Sequence, residues 1–154
     1  MRSLVALAAL LTLAGCQQSA PKAVDSAPAA GAAAPAVAPS AAPAEVQHLD
    51  AQAFAAAALQ DGKPKATLTL LDVRTPGEVA EGHLPGATVI DISDAAFMDK
   101  ASALPKDKPV YVYCRSGARS ARAASQLVKM GFPGVYNLSG GIMGWSRAGL
   151  PVER

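Results

Sequence analysis

The residues with the clearest chemical potential surround one cysteine, Cys114. The segment reads Tyr113-Cys114-Arg115-Ser116-Gly117-Ala118-Arg119-Ser120. Because Gly117 permits a tight turn, the backbone N–H groups of residues 115–119 can converge on one point and bind an anion. Two arginines add positive charge, and both features favour a thiolate over a thiol. We therefore predict that Cys114 is an exposed nucleophile with a lowered pKa, prone to over-oxidation.

The elements around Cys114 support this prediction. Residues 109–113 form an apolar run, as in parallel strands covered by helices on both faces. After Ser120, apolar residues recur at helical spacing until Gly131, so a helix begins a few residues beyond the cysteine. Ligands of open α/β sheets bind at the carboxyl ends of strands, where a helix N-terminus adds positive potential. The sequence therefore predicts an anion-binding turn at Cys114.

Strand and helix signals alternate over residues 45–154 and predict one α/β domain with a mainly parallel sheet covered by helices on both faces. The other strands are predicted at 67–73, 87–90 and 135–138. The other helices are predicted at 51–60, from Thr75 onward, at 94–103 and at 142–147. Asp50 and Thr75 are the predicted N-caps, and Gly62 is predicted to close the first helix.

Composition and cysteine count exclude several classes of protein. The chain has 154 residues and a net charge of +2, far from the basic excess of a general nucleic-acid binder. Its two cysteines, Cys16 and Cys114, cannot form a disulfide framework, and no spaced Cys/His set indicates a structural zinc. We therefore predict no metal, no cofactor and no nucleic-acid partner, and we expect a monomer.

Residues 1–15 have the features of a bacterial export signal. Arg2 precedes an apolar run, residues 4–13, that is too short to span a bilayer as a helix. The run ends in Leu13-Ala14-Gly15-Cys16. This tetrapeptide resembles the lipobox of bacterial lipoproteins, in which the cysteine becomes the lipidated first residue of the mature protein. We expect lipidation at Cys16 and a protein that faces the periplasm from the cell envelope. Gln17, where an Asp would favour inner-membrane retention, favours the outer membrane.

Residues 16–44 are predicted to consist of the lipidated cysteine, Cys16, and a linker rich in alanine and proline. Residues 17–44 contain 13 Ala and 5 Pro among 28 residues and no aromatic side chain. Irregularly spaced prolines prevent a continuous helix, and the lack of large apolar side chains prevents a core. A flexible chain of this length spans about 30 Å, which separates a domain from the lipid headgroups.

Three separate motifs within residues 45–154 resemble the rhodanese family. One is the Cys114 segment itself. The others are Leu71-Asp72-Val73-Arg74-Thr75-Pro76-Gly77-Glu78 with Gly82-His83-Leu84-Pro85-Gly86-Ala87, and Asn137-Leu138-Ser139-Gly140-Gly141 with Trp145. The resemblance implies about five parallel strands flanked by helices. It also implies a sulfurtransferase, in which the Cys114 thiolate takes sulfane sulfur from thiosulfate or a similar anion and passes it to cyanide or a thiol.

The motif residues divide into a nucleophile, a loop and its supports. Cys114 is the expected nucleophile, and Arg115, Ser116, Gly117, Ala118 and Arg119 form the loop that holds the anionic sulfur and attracts the donor. The resemblance suggests that Asp72 and Arg74 support this loop by ion pairs and hydrogen bonds. His83 is expected to be structural. With no second cysteine in residues 45–154, a persulfide needs an outside acceptor.

Two other functions compete with sulfur transfer. A related phosphatase group shares the fold, but there five residues separate the cysteine from its arginine, giving a loop wide enough for phosphate. Here four residues separate Cys114 from Arg119, which suits a single sulfur atom better. The other alternative is an envelope module that carries a persulfide, or binds or senses an anion, without efficient turnover.

Overall fold

The computed structural model describes residues 45–154; the expected signal peptide, Cys16 and the linker lie outside the described residues. In chain order the elements are β1 (Val46–Leu49), α1 (Ala51–Ala58), β2 (Leu59–Gln60), β3 (Lys63–Pro64), β4 (Thr69–Asp72), α2 (Pro76–Ala80), β5 (Thr88–Val89), α3 (Phe97–Ser102), β6 (Val110–Tyr113), α4 (Ala118–Lys129), β7 (Val135–Leu138) and α5 (Gly141–Arg147). None of these helices is long and apolar enough to cross a membrane.

Five strands form one sheet in the order β1-β7-β6-β4-β5, and every pairing in it is parallel. This confirms the predicted α/β class and the fold of about five parallel strands that the resemblance implies. The carboxyl ends of β4 and β6 lie side by side, because Asp72 pairs with Tyr113 in the register of these two strands. The turns that follow β4 and β6 therefore begin next to each other at one edge of the sheet.

Helices cover both faces of the sheet, and the side chains of β6 alternate between two cores. On one face Val110 and Val112 pack with residues of α3 and α4, including Phe97 and Leu127. On the other face the buried residues come from α1, α5 and the strands, and they include Phe54, Tyr111, Tyr113 and Trp145. This burial on both faces explains why residues 109–113 are apolar throughout.

The first helix is shorter than predicted, and a hairpin follows it. α1 begins after Asp50, whose side chain accepts a hydrogen bond from Ala53 N–H at 2.8 Å, as predicted. It ends at Ala58 instead of residue 60, because β2 and β3 pair antiparallel around Asp61 (φ 51) and Gly62 (φ 76). Asp-Gly is a strong hairpin signal, and it outweighed the helical spacing here.

Strand β1 was not predicted. It has four residues and pairs along one side only, with β7, so it carries little of the apolar pattern that identifies a central strand. The remaining predicted elements are present, mostly with ends shortened by one to three residues. Strand β7, Val135–Leu138, has the predicted bounds.

Candidate active site

Cys114 lies between the last residue of β6, Tyr113, and the N-cap of α4, Gly117. Gly117 has φ 98, a conformation that strains any residue with a Cβ. A Cβ at this position would also lie 3.0 Å from the carbonyl oxygen of Leu138. Glycine is therefore required twice, for the turn of the loop and for the close approach of the chain after β7.

Hydrogen-bond donors surround the Cys114 sulfur. The N–H of Gly117 donates to Sγ at 3.1 Å, and the hydroxyl of Ser120 lies between two acceptors, 3.4 Å from Sγ and 3.1 Å from the Gly117 carbonyl oxygen. Burial raises the pKa of the Cys114 thiol, but these two donors and the N–H groups of Ser116 and Ser120 outweigh it, so the net pKa lies below its ordinary value. The loop thus has the donors that stabilise a negative charge on sulfur.

The expectation of an exposed thiol was wrong, because Cys114 is fully buried. The outer side of the loop is formed by Arg115, Ser116 and Ala118, which are exposed. Cys114 itself has no solvent-accessible surface in this structure. The prediction of over-oxidation depended on an exposed thiol, and burial of the sulfur removes that reason for it.

The chain after β7 holds the loop from outside through backbone hydrogen bonds. The N–H of Ile142 donates to the Cys114 carbonyl at 2.9 Å, and the N–H of Met143 donates to the Arg115 carbonyl at 3.1 Å. Gly141 makes this approach possible: its φ is 55, and a Cβ there would lie 2.5 Å from the carbonyl carbon of Arg115. The N-terminus of α5 is therefore bonded directly to the residue that carries the sulfur.

Arg119 is held by a carboxylate that was not among the predicted site residues. Its two terminal nitrogens donate to the Glu78 carboxylate at 2.8 and 2.6 Å. The hydrogen bond from Arg119 lowers the pKa of Glu78 to about 2. Glu78 also completes a capping box with Thr75 at the start of α2. Arg119 therefore joins α2 to the loop, and much of its charge is neutralised within the protein.

Asp72 and Arg74 support a neighbouring turn instead of the Cys114 loop. The Arg74 guanidinium pairs with Asp72 at 2.6 Å and donates to the carbonyls of Glu78 and Gly82 at 2.9 and 2.8 Å. Both side chains are buried. Among the described residues, their hydrogen bonds do not reach 114–119. They act on the loop indirectly. Arg74 bonds the backbone of Glu78, and the Glu78 side chain binds Arg119.

A buried asparagine connects the loop to the edge strand. Asn137 Nδ2 lies 3.0 Å from His48 Nδ1 and 3.5 Å from the carbonyl of Gly117. The sequence singled out neither Asn137 nor His48 for this role, since their contact depends on the pairing of β1 with β7. The β1 strand thus reaches the active loop through one side chain.

His83 and Trp145 have structural contacts. The backbone of His83 pairs with that of Glu153 at 2.8 Å, and its Nδ1 lies 3.1 Å from the Leu84 carbonyl. Trp145 is fully buried and donates its indole N–H to the Pro151 carbonyl at 2.9 Å. Within residues 45–154, no group of three or more His, Cys, Asp or Glu side chains could hold a metal ion.

Comparison with known proteins assigns the family. The model of the rhodanese-like domain matches residues 52–148. A sulfurtransferase of Allochromatium vinosum is 45% identical over 83 residues, which cover 54% of this chain and 76% of that protein. The thiosulfate sulfurtransferase GlpE of Pseudoalteromonas translucida is 34% identical over 86 residues, covering 54% and 78%. The chain therefore belongs to the rhodanese-like domain family.

A solved structure supports the same assignment. The crystal structure of a rhodanese-related protein from Thermoplasma volcanium matches with a TM-score of 0.58 at 31% identity, covering 70% of this chain and 97% of that one. The family match and the solved structure thus agree, and two of the relatives are named as sulfurtransferases.

Proposed function

We propose that this protein is a sulfurtransferase that moves sulfane sulfur from thiosulfate, or a similar anionic donor, to a thiophilic acceptor through a persulfide on Cys114. The observation that carries the proposal is the ring of donors around Sγ, in which Gly117 N–H donates at 3.1 Å and the Ser120 hydroxyl lies at 3.4 Å. Two relatives named as sulfurtransferases, one of them for thiosulfate, support it.

The reaction divides into two balanced steps. In the first, the Cys114 thiolate attacks the outer sulfur of thiosulfate, the S–S bond of the donor breaks, and sulfite leaves with the electron pair. In the second, an acceptor such as cyanide attacks the outer sulfur of the persulfide. Thiocyanate forms, and the Cys114 thiolate is restored. The lowered pKa of Cys114 favours the thiolate, and a thiolate needs no general base in the first step. In the second step the attacking group is the acceptor.

The loop is suited to the intermediate as well as to the nucleophile. A persulfide places a second, negatively charged sulfur near Sγ, and the N–H groups of residues 116, 117 and 120 can stabilise this charge. The exposed Arg115 attracts the dianionic donor. Arg119 contributes less than its charge alone implies, since Glu78 neutralises it.

Intact-mass measurement tests the proposal. The full chain, purified in detergent, is treated with thiosulfate and then with cyanide, with Cys114→Ser treated in parallel. We expect the wild type to gain one sulfur atom and lose it again to cyanide, and the variant to gain none. Because the variant retains Cys16, sulfur found equally on both proteins would contradict a Cys114 persulfide.

Burial of Cys114 favours a second candidate function. A sulfur atom with no solvent-accessible surface suits a persulfide carrier or an anion-sensing module with slow turnover. The same samples distinguish the two functions: a persulfide that forms but persists for many minutes with cyanide present indicates a carrier, whereas rapid discharge indicates an enzyme.

We further propose that the domain acts at the cell envelope, anchored by lipid on Cys16 and facing the periplasm from the outer membrane. Support comes from the sequence of residues 1–17 and from the length of the linker, residues 16–44. Lipid on Cys16 adds the mass of its acyl chains to the mature protein. Cys16→Ala should prevent this gain, and a wild-type protein whose mass shows no acyl chains would refute the anchor.

A further inference from the structure

Asn137 of β7 carries a buried amide whose nitrogen has two partners. Nδ2 lies 3.0 Å from His48 Nδ1 and 3.5 Å from the Gly117 carbonyl oxygen. Oδ1 is buried and accepts no hydrogen bond within residues 45–154. The orientation of the amide therefore depends on the two partners of its nitrogen. The contact with Gly117 is longer than an ordinary hydrogen bond, so a small displacement of the amide breaks it.

These contacts fix the protonation state of His48. A carbonyl oxygen can only accept, so the amide atom that faces Gly117 is Nδ2 and not Oδ1. Because Nδ2 can only donate, His48 Nδ1 must be the acceptor, and the imidazole is neutral with its proton on Nε2. A protonated His48 carries an N–H on both ring nitrogens and offers Asn137 no acceptor.

His48 is exposed, and histidine side chains ordinarily change charge between about pH 5 and 8. Its strand, β1, lies against β7, α1 and α4, and α1 has no charged residue. The titratable or charged groups of the other surrounding segments are Glu45, Asp50, Arg119, Arg122, Lys129 and Tyr136. In the part of the chain that the structure describes, none of them forms an ion pair with His48, so no ion pair holds it in the charged form.

The Gly117 carbonyl connects the Asn137 amide to the sulfur. It accepts the Ala121 N–H at 3.0 Å and lies 3.1 Å from the Ser120 hydroxyl. The same hydroxyl lies 3.4 Å from Cys114 Sγ. A carbonyl oxygen has two lone pairs, and a hydroxyl has one proton to donate. While Ala121 and Asn137 occupy both lone pairs, the Ser120 proton is free for the sulfur. Without Asn137, the carbonyl competes for that proton.

We propose that His48 and Asn137 are positioning residues for the reaction of Cys114. Neutral His48 holds the Asn137 amide on the Gly117 carbonyl, and the Ser120 hydroxyl then donates to the sulfur. Protonation of His48 removes the acceptor of the amide, the hydroxyl turns to the carbonyl, and the thiolate loses one donor. The inference rests on the proposed function where it concerns sulfur transfer, which should slow as His48 becomes charged.

Two substitutions of His48 in the full chain, purified in detergent, separate the acceptor from the charge. His48→Asn places a carbonyl oxygen near the position of Nδ1 and cannot be protonated, so Asn137 keeps an acceptor at every pH. His48→Leu removes the acceptor at every pH. His83→Asn is the matched control, because His83 is the other of the two histidines in the chain and its side chain contacts the Leu84 carbonyl, away from the loop.

The thiolate absorbance of Cys114, followed against pH with the Cys114→Ser spectrum subtracted, tests the hydrogen bonds without any sulfur donor. We expect the thiol of His48→Leu to titrate roughly half a pH unit above that of His48→Asn, the effect of one ordinary hydrogen bond. In a Ser120→Ala background the two variants should titrate together, because the hydroxyl that they redirect is absent. Equal titrations in the presence of Ser120, or the same difference in its absence, would overturn the proposal.

Rates of persulfide formation test the consequence for sulfur transfer. We expect the wild type to match His48→Asn within about twofold near pH 8 and to be roughly fivefold slower than it near pH 5.5, where histidine side chains are charged. His83→Asn should follow the wild type. A ratio of wild type to His48→Asn that stays constant over this range would show that the charge of His48 does not act on the loop. If no variant forms a persulfide, the proposed function fails, and the thiolate titration still decides whether His48 acts on Cys114 through Ser120.

Discussion

Two turns leave neighbouring strands at the same edge of the sheet, and they are stabilised in opposite ways. The turn after β4, residues 73–82, is held by side-chain charge: the Arg74 guanidinium bonds to Asp72 and to two backbone carbonyls. The turn after β6, residues 114–117, is held from outside by backbone hydrogen bonds from α5. Its own N–H groups point inward at a sulfur atom.

This difference separates stability from reactivity. In the β4 turn the charges of Arg74 and Asp72 neutralise each other, and their bonds stabilise the turn itself. In the β6 turn the inward N–H groups have the Cys114 sulfur as their acceptor, and a negative charge on it strengthens these bonds. The β4 turn is joined to α4, the helix that follows the β6 turn, by the ion pair of Glu78 and Arg119, which also neutralises the Arg119 charge.

The largest expected effect comes from closing the space between α5 and the β6 turn. In Gly141→Ala the new Cβ would lie 2.5 Å from the Arg115 carbonyl carbon, in a residue with φ 55. We expect the free energy of unfolding to fall by about 4 kcal/mol or more, with loss of persulfide formation. Urea unfolding and intact mass after thiosulfate measure the two effects.

Gly77→Ala is the matched control in the β4 turn. Gly77 lies in α2, does not have a positive φ, and a Cβ there meets nothing within 4 Å. We expect it to raise the unfolding free energy by about 0.5 kcal/mol, because alanine restricts the unfolded chain. Equal destabilisation by both substitutions would show that the close packing of α5 against the loop does not make position 141 more sensitive than position 77.

An intermediate effect is expected from Asp72→Asn, which breaks the charge pair of the β4 turn. The substitution leaves the Arg74 guanidinium buried without its carboxylate, and we expect a loss of about 3 kcal/mol in unfolding free energy. Persulfide formation by the molecules that remain folded should change by less than about threefold, since Asp72 makes no bond to the loop. Loss of persulfide formation at full folding would contradict the separation of the two turns.

The sequence predicted the reactive turn better than the contacts that support it. Cys114 and Gly117 were recognisable because a nucleophile and a turn-forming glycine follow an apolar strand, and this pattern is local. The partner of Arg119 was not recognisable from the sequence, since Glu78 lies 41 residues away along the chain. The spacing of Thr75 and Glu78 predicts a capping box, but it gives no sign that the same carboxylate also binds Arg119.

Burial and strand order explain the remaining differences. The arginines around Cys114 suggested an exposed thiol, but its burial depends on α4 and α5 packing from opposite sides, which no local pattern encodes. The contact of Asn137 with His48 depends on β1, a four-residue edge strand whose only partner in the described sheet is β7. Long-range pairing, rather than residue type, sets these contacts.

The smallest expected effect concerns a single donor in the β6 turn. Ser120→Ala removes the hydroxyl that lies 3.4 Å from Sγ, and this raises the Cys114 pKa because one stabilising donor of the thiolate is lost. The thiolate absorbance at 240 nm, followed against pH, should titrate at higher pH in the variant. Persulfide formation near pH 7 should slow roughly fivefold, the equivalent of one ordinary hydrogen bond of about 1 kcal/mol.

Ser120→Ala should also change how the unfolding free energy depends on pH, and the lowered pKa of Cys114 fixes the sign of this change. Because the folded pKa of Cys114 lies below its ordinary value of 9.0, the unfolded chain binds more protons between the two values, and the unfolding free energy rises with pH across this interval. The gain is lost as pH falls through the folded pKa, and in Ser120→Ala it should be smaller. Ser125→Ala is the control, because that hydroxyl bonds the Ala121 carbonyl at 3.1 Å on the same helix. If Cys114 in Ser120→Ala titrates as it does in both the control and the wild type, the backbone N–H groups alone lower its pKa. The reactivity of the β6 turn would then depend on its backbone conformation and not on this side chain.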